Sequence, residues 1–141
     1  MKTTTTKLTI ATAFLALAAG AASAETLNAN IPFAFRVGNK AMAAGTYRVQ
    51  VTGATNNVVT LQSLSSQDLA IVLPTGLSDA SKEWKANGEP VLSFECGASR
   101  CALNRIWTGT SAPAYNIAHP KLATGEQASV TLIHMAKANG D

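Results

Sequence analysis

Cys96 and Cys101 are the residues of this chain with the most direct chemistry. Four residues, Gly97-Ala98-Ser99-Arg100, separate them, and β-rich runs flank them on both sides. Opposite positions of an antiparallel hairpin bring β-carbons close enough for a disulfide. The spacing therefore predicts Cys96 opposite Cys101, Phe94 opposite Leu103 and Leu92 opposite Arg105. A redox motif has two intervening residues rather than four. A structural zinc site has four ligands, and the sequence supplies only two thiols. A structural disulfide is the expectation, stabilising by about 2 kcal/mol in the chain-entropy model for so small a loop.

The other reactive side chains are scattered. His119 precedes Pro120 in a loop, and His134 lies between Ile133 and Met135 in a β-rich run. Neither has further ligands spaced beside it, so both are read as surface or half-buried histidines with no metal and no cofactor. Glu83, Glu89 and Glu95 are evenly spaced but cross a loop and a strand, which sets no pair at a glycosidase separation. No G-x-S-x-G elbow occurs, Ser78 and Ser81 do not form S-x-x-K with Lys82, and no glycine-rich phosphate loop opens a helix. No nucleophile–base constellation is visible, and the expectation is a protein that is not an enzyme. Trp84 and Tyr115 lie in connections. Exposed on one rim, they would form a ligand mouth or a protein contact. The favoured alternative is that each pins its connection onto a sheet.

The oxidising compartment that a disulfide needs is written at the N-terminus. Lys2 and Lys7 make a positive start, residues 8–22 run apolar or small without charge, and Ala22-Ser23-Ala24 is an A-x-A exit. These three features predict a cleaved secretory signal over residues 1–24 and a mature domain over 25–141. The apolar run falls short of the roughly 18–20 residues of a membrane span, and no cysteine stands at the cleavage site for lipid attachment. Cleavage of 24 from 141 residues leaves 117, one domain's worth. Lys2 and Lys7 leave with the signal, so nine cations then face eight carboxylates and the formal +3 falls to near neutrality. No basic stripe remains to track phosphates, which argues against a nucleic-acid partner. No mature run approaches a spanning helix, and the expected destination is the periplasm or the extracellular space.

The elements that must position these residues read as strands. In residues 26–37 the odd positions Leu27, Ala29, Ile31, Phe33, Phe35 and Val37 alternate strictly with the even ones, the period of an extended chain with one buried face. Pro32 marks an edge or a break in that run. Residues 46–51, 58–64, 69–73, 91–96, 101–107 and 130–136 are further strand runs, with a short one at 114–118 and a frayed tail from 137. Residues 77–89 carry charges and a Trp, and read as a surface connection in which Ser78 or Asp79 caps at most one helical turn. About seven or eight short strands predict an all-β fold, a single antiparallel sandwich or a small barrel. The expected core is Leu27, Ile31, Phe33, Phe35, Tyr47, Val49, Val51, Leu61, Ile71, Leu73, Leu92, Phe94, Leu103 and Trp107. A membrane barrel fits less well, because its strands run about 9–11 residues.

Ile31-Pro-Phe-Ala-Phe-Arg-Val-Gly38, then Ala44-Gly-Thr-Tyr-Arg-Val49, resembles a set of small secreted β-rich proteins common in Acidobacteria. A later stretch from Gly88 through Phe94 to Ile106-Trp107 is similar to their second pattern. The resemblance spans about residues 27–110. It implies a secreted β-rich body and assigns no catalytic or binding residue. Ala43 stands where those proteins carry Leu or Pro, and Cys96 and Cys101 stand where they carry basic and aromatic residues around the turn. Two functions follow as expectations. One is an exported, non-catalytic β domain with a binding or structural role in the envelope or outside the cell. Its partner would be a protein, lipid or glycan, or another copy meeting residues 27–31 as an exposed strand. The alternative is a small exported hydrolase, which requires His119 or His134 to meet a carboxylate in a cleft.

Overall fold

The computed structural model describes residues 26–53, 57–109, 112–122, 125 and 127–138. The expected signal over 1–24 lies outside the described residues. The strands are β1 (Thr26–Ile31), β2 (Phe35–Val37), β3 (Lys40–Met42), β4 (Gly45–Thr52), β5 (Val58–Ser63), β6 (Leu69–Val72) and β7 (Gly76–Ser78). A short helix, α1 (Lys82–Asn87), precedes β8 (Val91–Cys96), β9 (Cys101–Trp107), β10 (Ala114–Asn116), β11 (Ser129–His134) and β12 (Ala136–Lys137). One sheet has the order β12-β1-β4-β5-β6, the other β11-β8-β9-β10-β7, with β2 joined to β9 and β3 to β2. Neither sheet closes on itself, so the fold is a sandwich rather than a barrel.

The long alternating run is shared between both sheets. Leu27, Ala29 and Ile31 face inward from β1, opposite Val49, Tyr47 and Gly45 of β4. Pro32 interrupts the ladder, and the chain crosses to the second sheet, where Phe35 and Val37 of β2 continue the same buried phase. Val37 pairs with Lys40 across a two-residue turn, in which Gly38 takes the left-handed φ of 59° that a tight hairpin needs. Phe33, Phe35, Phe94 and Tyr47 meet edge to face at the crossover, with centroid distances of 5.1–5.4 Å. This geometry sets ring edges against ring faces and ties the two sheets together.

Several expectations change. Ile71 and Leu73 are 64% and 62% exposed, and the buried residue of β6 is Ala70. The reason is register: Ala70 lies opposite the buried Leu61 of β5, and Ile71 lies opposite Thr60. Phe33 and Val51 are only partly buried, although both pack against the core. In residues 27–31, β1 pairs with β4 along its length, and β12 covers its other edge at Leu27 and Asn28. Lys137 belongs to β12 rather than to a frayed tail. The connection at 77–89 holds β7 and α1, capped by neither Ser78 nor Asp79. Ser81 Oγ accepts the Trp84 N–H at 3.2 Å, and Gly88, at φ 74°, donates its N–H to the Trp84 carbonyl.

Tyr47 gives this core a pH dependence. Its hydroxyl donates to the Ala43 carbonyl at 2.5 Å. Burial, with Asp68 adding to it, pushes the phenol above its ordinary value of 10.0. A raised folded value means the contribution is complete below pH 10 and is lost as pH rises through that folded value. Stability is therefore expected to fall above about pH 10, and Tyr47→Phe is expected to flatten that limb. The variant loses about 1 kcal/mol near neutrality, with the hydrogen bond. Urea melts between pH 8 and pH 12 measure both, and parallel curves for the two proteins would remove Tyr47 as the cause.

Candidate functional site

The geometry is built outward from the β8–β9 hairpin. Cys96 and Cys101 form its last pair and are joined by a disulfide. The Gly97 N–H donates to the Arg100 carbonyl at 2.7 Å, which closes the turn and carries Arg100 at its tip. Phe94 faces Leu103 as the spacing predicts, but Leu92 faces Ile106 rather than Arg105. A β-bulge at Ser93/Phe94 shifts the register and leaves Asn104 without a partner on β8. The Asn104 carbonyl instead accepts the Ile117 N–H at 2.8 Å, which holds the following loop beside the hairpin.

His119 closes that loop down. Its Nε2 lies 2.8 Å from Glu95 Oε2 on β8, and its Nδ1 lies 3.2 Å from the Ile117 carbonyl. Pro120, Lys121 and Leu122 are thereby set over Ala102 and Cys101. On the other side, Arg36 of β2 pairs in parallel with Ala102. Two depressions result, sharing Arg36, Arg100 and Cys101 as a common wall. The first, about 20 Å³, has Glu95 and Lys121 on its lining. The second, about 140 Å³, is lined also by the exposed Ala34, Ala41 and Ser99 and by the buried Phe35 and Met42.

The charge around them is one-sided. Arg36, Arg100 and Lys121 are three of the nine cations outside residues 1–24. Among the described residues, Glu95 is the single carboxylate lining either depression, and it faces His119. Among the described residues both ion pairs involve a histidine, so Arg100 and Lys121 have no carboxylate partner. Arg36 makes one long contact, Nη1 to the Asn39 carbonyl at 3.4 Å.

His119 meets a carboxylate beside a depression, the condition set for a hydrolase. Its hydrogen bonding ties the loop to β8. Oxygen atoms of Glu95 and Ile117 face the two ring nitrogens, so the imidazole is engaged on both sides. His134 Nδ1 lies 3.6 Å from Glu89 Oε2, with both side chains about half exposed, away from either depression. Among the described residues no group of three His, Cys, Asp or Glu is placed to hold a metal, and no helix is long and apolar enough to cross a membrane.

Trp84 and Tyr115 do not share a rim. Trp84 is buried beneath Arg105, which lies 4.7 Å over its ring, and it stacks on Trp107 at 6.4 Å. The Arg105 Nη2 also donates to the Asp79 carbonyl at 2.7 Å and to Ser78 Oγ. Trp84 thus pins α1 and its approach onto the outer face of β8 and β9, in a satellite core with Val91, Trp107 and Ala114. Tyr115 is buried in the main core. The sequence reading missed Arg36, Arg100 and Lys121 as a group, because residues 36, 95, 100, 119 and 121 meet only through the parallel β2–β9 contact and the bulge. No family model, no curated protein and no solved structure matches the chain.

Proposed function

We propose that this chain is an exported, non-catalytic β-sandwich that binds a ligand at its hairpin end. The observation that carries the reading is the convergence of three cations, from three separate segments, on two adjoining depressions. Function concentrates on loops held by a rigid scaffold, and this end has that form: a disulfide fixes the turn, and the Glu95–His119 contact fixes the facing loop. The disulfide also fits an exported protein. The double engagement of His119 favours binding over hydrolysis.

A ligand-observed NMR screen of small glycans, lipids and organic acids tests this, using the purified protein and its Arg100→Glu variant. Arg100 is exposed on a turn, so the variant keeps the fold. Hits that bind the parent and disappear with the variant are the expected result. Hits indifferent to the substitution would move the binding surface elsewhere. Turnover of any hit, abolished by His119→Ala, would replace the binding reading with the hydrolase.

A further inference from the structure

We infer that the ligand of this site carries a carboxylate on a short carbon body, with the carboxylate held between Arg36 and Arg100. The inference rests on the binding reading and deepens it. The two arginines stand on the wall common to both depressions. A guanidinium presents a planar fork that matches the two oxygens of a carboxylate, so two forks on one wall favour that group over a neutral one. Lys121, on the lining of the smaller depression, adds a third positive charge, without a carboxylate partner among the described residues.

The sizes of the two depressions divide the ligand. The smaller, about 20 Å³, has room for a body the size of a water molecule and no more. The larger, about 140 Å³, takes the rest of a small molecule, and its exposed carbon floor is the methyls of Ala34 and Ala41, Phe35 and Met42 on its lining being buried. A bare inorganic anion would leave that floor against water. A neutral molecule would gain no charge attraction from the three cations. An organic acid uses both surfaces, with its anionic end at the arginines and its carbon body on the floor. Glu95 lines the smaller depression and not the larger, and its Oε2 lies 2.8 Å from His119 Nε2.

The chemistry has two natural sources, a sugar acid and a lipid-derived acid, and matched pairs separate them. Galacturonate and galactose form one pair, hexanoate and hexan-1-ol the other, each titrated into the ¹⁵N-labelled protein and read by amide chemical shifts. The expected result is saturable movement of the Arg100, Cys101 and Lys121 amides with at least one acid, with a dissociation constant on the order of millimolar, and none with its neutral partner. The acid that binds more tightly identifies the source. Arg100→Gln is expected to weaken that acid about tenfold, the loss of one charge-assisted contact. Lys82→Gln, on α1 and outside both linings, leaves it unchanged. Added salt weakens it progressively, since the cations are exposed to solvent.

Equal binding of the acid and its neutral partner at these amides would overturn the carboxylate assignment and leave a binding site of another class. Inorganic phosphate binding as tightly as the acids would overturn it in favour of a bare anion site. No movement of these amides with either acid at 50-fold molar excess and above, to about the millimolar range, would also overturn it. The binding reading itself fails only in the wider screen with Arg100→Glu, so the two failures are distinguishable.

Discussion

Phe94→Ala is expected to lower the stability of the domain by about 3–5 kcal/mol, the range for emptying a buried aromatic site. Phe94 has no exposed surface and lies edge-on to Phe33 at 5.1 Å and to Phe35 at 5.4 Å. Phe35 in turn meets Tyr47 of the opposite sheet at 5.2 Å. The ring therefore fills the junction where the chain crosses between sheets, and neighbours held on two separate sheets collapse poorly into the space it leaves. A small domain has on the order of 5–15 kcal/mol in total, so the loss is a large share of it. Urea melts of the two proteins measure it. Ile71→Ala is the comparison: Ile71 is larger than the average side chain but 64% exposed, and its loss is expected within about 0.5 kcal/mol. Phe33→Ala made in the Phe94→Ala background should cost less than in the parent, by about 0.5–1.5 kcal/mol for the lost ring pair. Equal effects of Phe94→Ala and Ile71→Ala would refute this account of the core.

The same contrast explains what could be read from the sequence. Alternation in residues 26–37 was legible because every second residue is apolar, and the structure keeps that phase through both sheets even where Pro32 breaks the strand. Alternation also exists in β6, but there both phases are apolar: Leu69, Ile71 and Leu73 against Ala70 and Val72. Size favours the first set, and the structure buries Ala70, because β6 is an edge strand whose inner face is dictated by Leu61 and Val59 of β5. Pairing partners are not encoded locally. The hairpin pairing of Cys96 with Cys101 was legible from loop length, yet the bulge two rungs further on was not, since no glycine or proline marks it. The disulfide could be read from the sequence and the cationic end could not, for a related reason. A bridge across a turn is a short-range fact. The approach of Arg36 to Arg100 and Lys121 depends on a sheet crossover, a parallel contact of β2 with β9 and a loop anchored on a bulged carbonyl.

Removing the bridge with Cys96→Ser and Cys101→Ser together is expected to cost about 2 kcal/mol, the chain-entropy value for a loop this small. The sandwich itself should persist. The next rungs inward, Glu95 with Ala102 and Phe94 with Leu103, are ladder pairs, and Phe94 and Leu103 are fully buried. Urea melts of the parent with and without a thiol reductant should differ by the same amount, and the double variant should ignore the reductant. A parent whose midpoint does not move on reduction would show that the bridge contributes nothing to stability. The local consequence is sharper than the global one. Without the bridge, the described backbone hydrogen bond across the turn is the Gly97 N–H to the Arg100 carbonyl. Arg100 then loses its fixed position on the common wall, and Cys101, which lines both depressions, is replaced by a residue free to move with the turn. Binding of the organic acid should therefore fall several-fold under conditions where both proteins remain fully folded. A ligand affinity that survives the double variant intact would place the recognition surface on parts of the sandwich that the hairpin tip does not position. The size of this drop, compared with the loss caused by Arg100→Gln, measures how much of the arginine's contribution comes from being held in place rather than from its charge.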